Sequence, residues 1–315
     1  MVGAGALPAL QKAHRKRRCA VNLRKFLGLG VVAALLMGAL GLAGCGGAEE
    51  AEPTTGGSTT EELEGSINIQ GSDTMLNVST AWSEAFMDEN PGVDISVQGG
   101  GSGTGIAALI NGTVDFANAS RNMKDEEKTE LEGKGGTVVE TEVAIDGIAV
   151  IVNPANGVAD LTIAQLGEIF RGEKTNWKDF GGADKEIVIV SRDSSSGTYE
   201  YFKEAVVAVD DENLEFAQSA KLLPSSQAIV DEVKANDAAI GYVGLGYLTP
   251  DVKVVAVEGV QASVDTAADG SYPISRYLYM YSNGEAEGVM AAYLDWILGD
   301  AGQQVVADEG FVPLP

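Results

Sequence analysis

Two stretches decide how this chain folds: Gly99–Ile110, GGGSGTGIAALI, and Ile187–Phe202, IVIVSRDSSSGTYEYF. Each holds the tripeptide Ser-Gly-Thr, at 102–104 and at 196–198, after a β-type apolar run and before a helical pattern. A helix start leaves backbone N–H groups unpaired and carries partial positive charge, so it suits an anion. Glycine permits close backbone approach, and Ser and Thr add hydroxyl donors. Two such turns facing one another would enclose a small oxyanion.

Outward from these junctions, strands and helices alternate. Ser66–Gln70 reads as a strand, Gly71–Thr74 as a turn, and a helix follows with Met75, Val78, Trp82, Ala85 and Phe86 on one face. Asp94–Gln98 is the strand before the glycine run, and Val114–Ala117 begins the strand that leads into Asn118-Ala119-Ser120-Arg121. Ala144–Asn153 reads as a long buried strand, Leu161–Phe170 as an amphipathic helix capped by Thr162, and Ile187–Ser191 as a strand. The second Ser-Gly-Thr opens a helix to about Val209. After it come a helix over Ser226–Asn236, strands over Ala239–Leu245, Val252–Val257 and Tyr277–Ser282, and helices over Glu285–Leu298 and Gly302–Asp308. This alternation predicts an α/β fold with mostly parallel sheets and a site on the loops at strand C-termini.

The 315-residue chain is acidic, with a formal charge of −25. Residues 1–44 are expected to be a targeting segment: a basic stretch through Arg24 and Lys25, an apolar run from Phe26 to Leu42, then Leu42-Ala43-Gly44-Cys45. The pattern resembles a bacterial lipoprotein signal with Cys45 as the lipidated residue. Residues 45–65, rich in Gly, Thr and Glu, read as a flexible acidic tether. Such a charge argues against nucleic acid as a partner. Cys19, Cys45 and His14 all fall in the signal or at its end, so the body offers no disulfide, no Cys or His metal site and no Ser-His-Asp triad. No cofactor is expected.

Three strand–turn–helix junctions share one composition, Gly71–Thr74, Gly101–Thr104 and Ser194–Thr198. One alone would be ordinary capping; all three carry more Gly and hydroxyls than a cap needs. Arg121 falls just after a strand and Arg192 four residues before Ser196, and each can fork two N–H donors onto an oxyanion. The glycines fit neither the dinucleotide fingerprint nor the P-loop, and neither Ser102 nor Ser196 lies in G-x-S-x-G.

These motifs (GSDTM, VQGGGSGTGIAALINGTVDFANASR, LGEIFRGEKTNWKDFGG, SRDSSSGTYEYF and AIGYVGLGY) together resemble the phosphate-binding lipoproteins of bacterial phosphate ABC transporters, from about Ile67 to the C-terminus. The resemblance implies a type II periplasmic-binding-protein fold: two α/β lobes with mixed sheets, joined by hinge strands, with the ligand in the cleft. It places lobe one at 66–146 plus 246–315 and lobe two at 147–245, with AIDGIAV and IGYVGLG as crossovers. It implies phosphate ligands at Thr74, at the backbone of Met75, and at Ser102, Arg192, Ser196, Gly197 and Thr198, with Ser72, Ser120 and Arg121 as further candidates. It also implies an extracytoplasmic monomer on a lipid anchor that serves a membrane permease. Long family members have an Asp, where this chain has Ser120, to accept the proton of hydrogen phosphate; shorter ones share Ser-Arg. Without it another acceptor, with Asp73, Asp146 and Asp193 as candidates, must take that proton or selectivity weakens, so a binding protein for another oxyanion such as sulfate or molybdate is an alternative reading. A serine-dependent phosphatase or esterase is the remaining alternative; it lacks a His or Lys partner for the hydroxyl.

Overall fold

The computed structural model describes residues 63–315. The expected signal, Cys45 and the tether through residue 62 lie outside the described residues. The body starts slightly earlier than expected, because β1 (Glu64–Gly71) takes in Glu64 and Gly65 as a strand. Then follow α1 (Leu76–Glu89), β2 (Gly92–Gln98), α2 (Ser102–Ile110), β3 (Phe116–Ala119), α3 (Asp125–Gly133) and β4 (Val138–Val152). The middle of the chain forms β5 (Asp160–Leu161), α4 (Ile163–Phe170), β6 (Val188–Arg192), α5 (Gly197–Phe202), β7 (Lys221–Leu223), α6 (Ser226–Ala235) and β8 (Ala239–Gly244). It closes with β9 (Lys253–Val257), α7 (Val264–Ala268), β10 (Ser275–Asn283), α8 (Val289–Leu298) and α9 (Asp300–Asp308). No helix among the described residues is long and apolar enough to cross a membrane.

The strands run β2-β1-β3-β10-β4-β8-β6-β7, with β9 on β4 and β5 on β9. β1 pairs in parallel with β2 and β3, and β6 in parallel with β7 and β8. Between these groups β10 and β4 run antiparallel to their neighbours. The sheets are therefore mixed, not mostly parallel. The periodicity of a strand does not reveal its direction.

Two regions of core flank a change of partners along β4, which runs unbroken from Val138 to Val152. Residues 138–147 of β4 pair with β10, whereas Ile148–Val152 pair with β8 and β9. On the first side, β10 shows both faces of a buried strand: Leu278 and Met280 pack with Ile67, Trp82 and Phe116, while Tyr279 and Tyr281 pack with Ile106, Leu109 and Leu131. On the second, Ile148–Val152 pack with Phe170, Trp177, Phe202 and Tyr242. That second core also takes in Val252, Val255, Val257, Ala267, Tyr272 and Ile274. The chain therefore returns to the first lobe at Ser275, not at residue 246, and the expected crossover at IGYVGLG is a strand wholly of the second lobe. Apolar content could not tell that β9 pairs with β4.

Helix ends follow the capping chemistry of their residues. Thr162 caps α4, its hydroxyl accepting from Gln165 N while Gln165 Oε1 accepts from Thr162 N. The helix expected to run to Val209 is α5 followed by a π-turn over Lys203–Val207, which sets Phe202 flat against Tyr242 at 3.9 Å.

Candidate functional site

The turns after β1, β2, β3 and β6 meet at the junction of the two lobes, and they carry the hydroxyl-rich motifs. Ser72 follows β1 and its Oγ donates to Ser120 Oγ at 2.9 Å. Ser102, the first residue of α2, lies 3.3 Å from the same hydroxyl and accepts from Ser120 N at 3.1 Å. From the other lobe, Thr198 Oγ1 meets Thr74 Oγ1 at 2.7 Å. All of these side chains, with Ser196, are buried. A cluster of buried hydroxyls is a set of donors that can turn toward one acceptor.

Backbone approach makes the cluster possible. Gly101 sits at φ 91°, and a Cβ there would lie 2.5 Å from Ser195 O. The Gly103 N–H donates to that same carbonyl at 3.0 Å. A Cβ on Gly197 would stand 2.3 Å from Ser102 Oγ and 2.7 Å from Ser120 Oγ. The two Ser-Gly-Thr motifs therefore touch across the cleft. Ser196 does act as a cap, accepting from Thr198 N and Tyr199 N, and its own proton is still free to be donated elsewhere. The Met75 N–H does not face the cleft as a free donor: it bonds Ser72 O at 3.1 Å in the turn before α1.

Arg192 is the buried cation of the site, 1% exposed. Its Nη2 donates to Asp73 Oδ2 at 2.6 Å and to Pro224 O at 3.0 Å, and its Nη1 to Ser226 Oγ at 3.1 Å. Its Nε has no partner. Tyr242 supports the strand end beneath it, bonding Ser191 Oγ at 2.7 Å. Burial pushes the Tyr242 phenol up, so the hydroxyl stays protonated.

Of the three carboxylates the sequence left open, Asp73 crosses the cleft to Arg192 and accepts from Gly100 N at 3.1 Å; it does not cap α1. Tyr247 donates to the Asp73 carbonyl; burial first, then the Asp73 charge, pushes its phenol up to about 12. Asp193 bonds Ser195 rather than either arginine. Asp146 is fully buried where β4 changes partners and pairs with Arg276, with Nη2 to Oδ2 at 3.0 Å. Burial raises the Asp146 carboxyl and lowers the Arg276 guanidinium, and the charge of each partner works against the other's shift.

Arg121 stands apart from this group. Its two amino groups fork onto Glu127 at 2.8 and 2.7 Å, so its charge is already matched within the first lobe. Arg276 is the residue that sequence reasoning missed. It lies one position before the strand expected at 277–282, and the only signal was a lone cation in an otherwise apolar run, YPISRYLYMYS.

Two α/β lobes joined by a strand that changes partners, with facing hydroxyl turns and a buried arginine between them, define a two-lobed solute-binding protein. Residues 48–301 match the family model for a PBP superfamily domain. Among curated relatives, the phosphate-binding protein PstS of Bacillus subtilis is 36% identical over 292 residues, covering 90% of this chain and 94% of that protein. Among solved structures, a candidate phosphate ABC transporter substrate-binding protein with bound phosphate from Clostridium perfringens aligns with a TM-score of 0.74 and 35% identity, over 80% of this chain and all of that one. An ABC-type phosphate transport receptor from Vibrio cholerae aligns at 0.67 and 28% identity, over 79% of this chain and all of that one. The chain belongs to the PBP superfamily and, within it, to the PstS-type phosphate-binding proteins.

Proposed function

We propose that this chain captures inorganic phosphate outside the cytoplasm, held to the membrane by lipid at Cys45, and hands it as a monomer to the permease of an ABC importer. The observation that carries this reading is the buried hydroxyl cluster, Ser72, Thr74, Ser102 and Ser120 from one lobe and Ser196 and Thr198 from the other, beside an Arg192 Nε with no partner. Such a set supplies donors to every face of a tetrahedral oxyanion and nothing that would activate a nucleophile. The relatives' names support the choice of phosphate.

Ligand roles follow for Ser72, Thr74, Ser102, Ser120, Arg192, Ser196, the backbone of Gly197, and Thr198. Met75 contributes through the turn that its N–H closes, and Arg121, whose charge Glu127 matches, would have to leave that pair to reach the anion. The Thr74–Thr198 contact leaves no room for an anion between the two hydroxyls, so the lobes part to admit it and close on it. Asp73 is the carboxylate among these ligands. Each of its oxygens keeps lone pairs beyond those used by Arg192 and Gly100, so it accepts the proton of hydrogen phosphate, which sulfate lacks at neutral pH.

Titration calorimetry of the purified chain with inorganic phosphate tests the reading. The expected result is saturable heat at micromolar ligand, unaffected by equal sulfate. A folded chain giving no heat, or sulfate displacing phosphate at equal concentration, overturns it.

A further inference from the structure

We propose that Arg276 is a positioning residue that sets the hydrogen-bond polarity of Thr74 and Thr198, so that both hydroxyls present their protons to the anion. The inference rests on the phosphate reading and adds to it a residue that touches no ligand.

Arg276 is 6% exposed and sits at the start of β10, where the chain re-enters the first lobe. Its five N–H groups are all engaged by protein. Nε reaches Asp146 Oδ2 at 3.3 Å. Nη1 reaches Ser120 O at 2.6 Å and Gly197 O at 3.2 Å. Nη2 reaches Asp146 Oδ2 at 3.0 Å and Thr198 Oγ1 at 2.8 Å, with Thr74 Oγ1 at 3.4 Å. The Tyr201 ring covers it, with the guanidinium carbon 5.5 Å from the centroid. No N–H is left for direct contact with an anion, so Arg276 is not a ligand.

Its effect comes through chemistry that an arginine cannot reverse. A hydroxyl has one proton and can point it either way, whereas a guanidinium has donors and no acceptor. Thr198 Oγ1 must therefore accept from Arg276, which turns its only proton away toward the cleft. In the closed arrangement that proton meets Thr74 Oγ1 at 2.7 Å. Thr74 Oγ1 lies 3.4 Å from the same Nη2 and can share the proton given to Thr198; accepting from that side and from Thr198 leaves its own proton for the ligand. An oxygen that carries no proton is the partner both hydroxyls then require. Asp146 holds the guanidinium in this pose, and Leu245 N holds Asp146 at 3.0 Å.

The test is a comparison of phosphate affinity by calorimetry in four full-length chains: the unmodified one, Thr198→Val, the paired change Asp146→Asn with Arg276→Gln, and all three together. Gln offers an acceptor as well as donors, so polarity is no longer enforced, and changing both partners leaves no lone buried charge. The paired change should weaken phosphate about tenfold on its own and less than about threefold where Thr198 has no hydroxyl. An equal loss in both backgrounds would show that Arg276 merely ties the lobes together and overturns the proposal, as would no loss at all. If the paired variant does not fold, Arg276→Lys is measured in the same two backgrounds: a lysine has three N–H groups where Arg276 uses five, so affinity falls, and the loss should again be smaller where Thr198 has no hydroxyl; an equal loss in both backgrounds overturns the proposal. If the unmodified chain does not bind phosphate, the functional reading fails and takes this inference with it.

Discussion

Gly197 shows how much a single atom decides at this site. Its backbone φ is ordinary, so strain does not require a glycine there; the neighbours do, since a methyl group would press on Ser102 Oγ and Ser120 Oγ from the opposite lobe. Gly197→Ala should therefore leave each lobe folded and obstruct closure. Phosphate affinity should fall by tenfold or more, about 1.4 kcal/mol or above, while the melting temperature without ligand changes little. A normal affinity by calorimetry would show that the two motifs do not meet in the bound state. Asp73 carries the second prediction at this scale. Asp73→Asn removes the charge paired with Arg192 and replaces an obligate acceptor with a group that also donates. Overall phosphate affinity should drop and sulfate, a poor competitor of the unmodified chain, should begin to compete; unchanged discrimination in a competition titration would assign proton recognition elsewhere.

Among the elements, those closest to the anion-facing turns were the most legible. The glycine runs and hydroxyls at the starts of α2 and α5 are local chemistry, and local chemistry is written in consecutive residues. Apolar alternation likewise marked β1, β6 and β8 to within two residues at either end. By contrast α3 went unread, because Leu131 is its one buried residue and no apolar stripe announces it. Its signal was electrostatic: Asp125, Glu126 and Glu127 fill the first turn, and Glu127 reaches back to the Lys124 amide at 2.8 Å. The partnership of Arg276 with Asp146 was equally hidden, since 130 residues separate them and only the antiparallel pairing of β4 with β10 brings them together. Glu127 also supports a pH prediction. Burial acts to raise its carboxyl, but bonds from Arg121 and the Lys124 amide outweigh that and hold it below the ordinary 4.5. A depressed folded value means stabilisation that is present above the ordinary value and lost as pH falls through the folded one. Glu127→Gln should thus cost about 1 kcal/mol at neutral pH, and the gap in melting temperature should close in acid. A gap independent of pH would assign the effect to packing.

For the whole molecule, buried charges and hydroxyls line the junction of the two lobes, beside apolar contacts such as Val312 in the second core. Asp73 to Arg192 is a buried ion pair between the lobes and the Thr74 and Thr198 hydroxyls meet beside it, while Asp146 and Arg276 form a second buried pair within the first lobe, from which Arg276 reaches Gly197 O across the cleft. A buried polar contact is costly when half satisfied, so an interface of this kind favours two defined arrangements, closed with its partners in place or open to water. The two lobes were implied by the family resemblance and not by local reading of the chain. The resemblance set the return to the first lobe about thirty residues early, because the contact of β9 with β4 is a property of the folded sheet and not of either segment. The central claim is that one anion is held by both lobes at once, and a crystal structure grown with inorganic phosphate tests it most directly. The account predicts a single phosphate in hydrogen-bond contact with Thr74 and Ser102 on one side and with Ser196, Thr198 and Arg192 Nε on the other, the two threonine hydroxyls parted by it. A phosphate bound to one lobe alone, or elsewhere on the surface with Thr74 and Thr198 still touching, would contradict it.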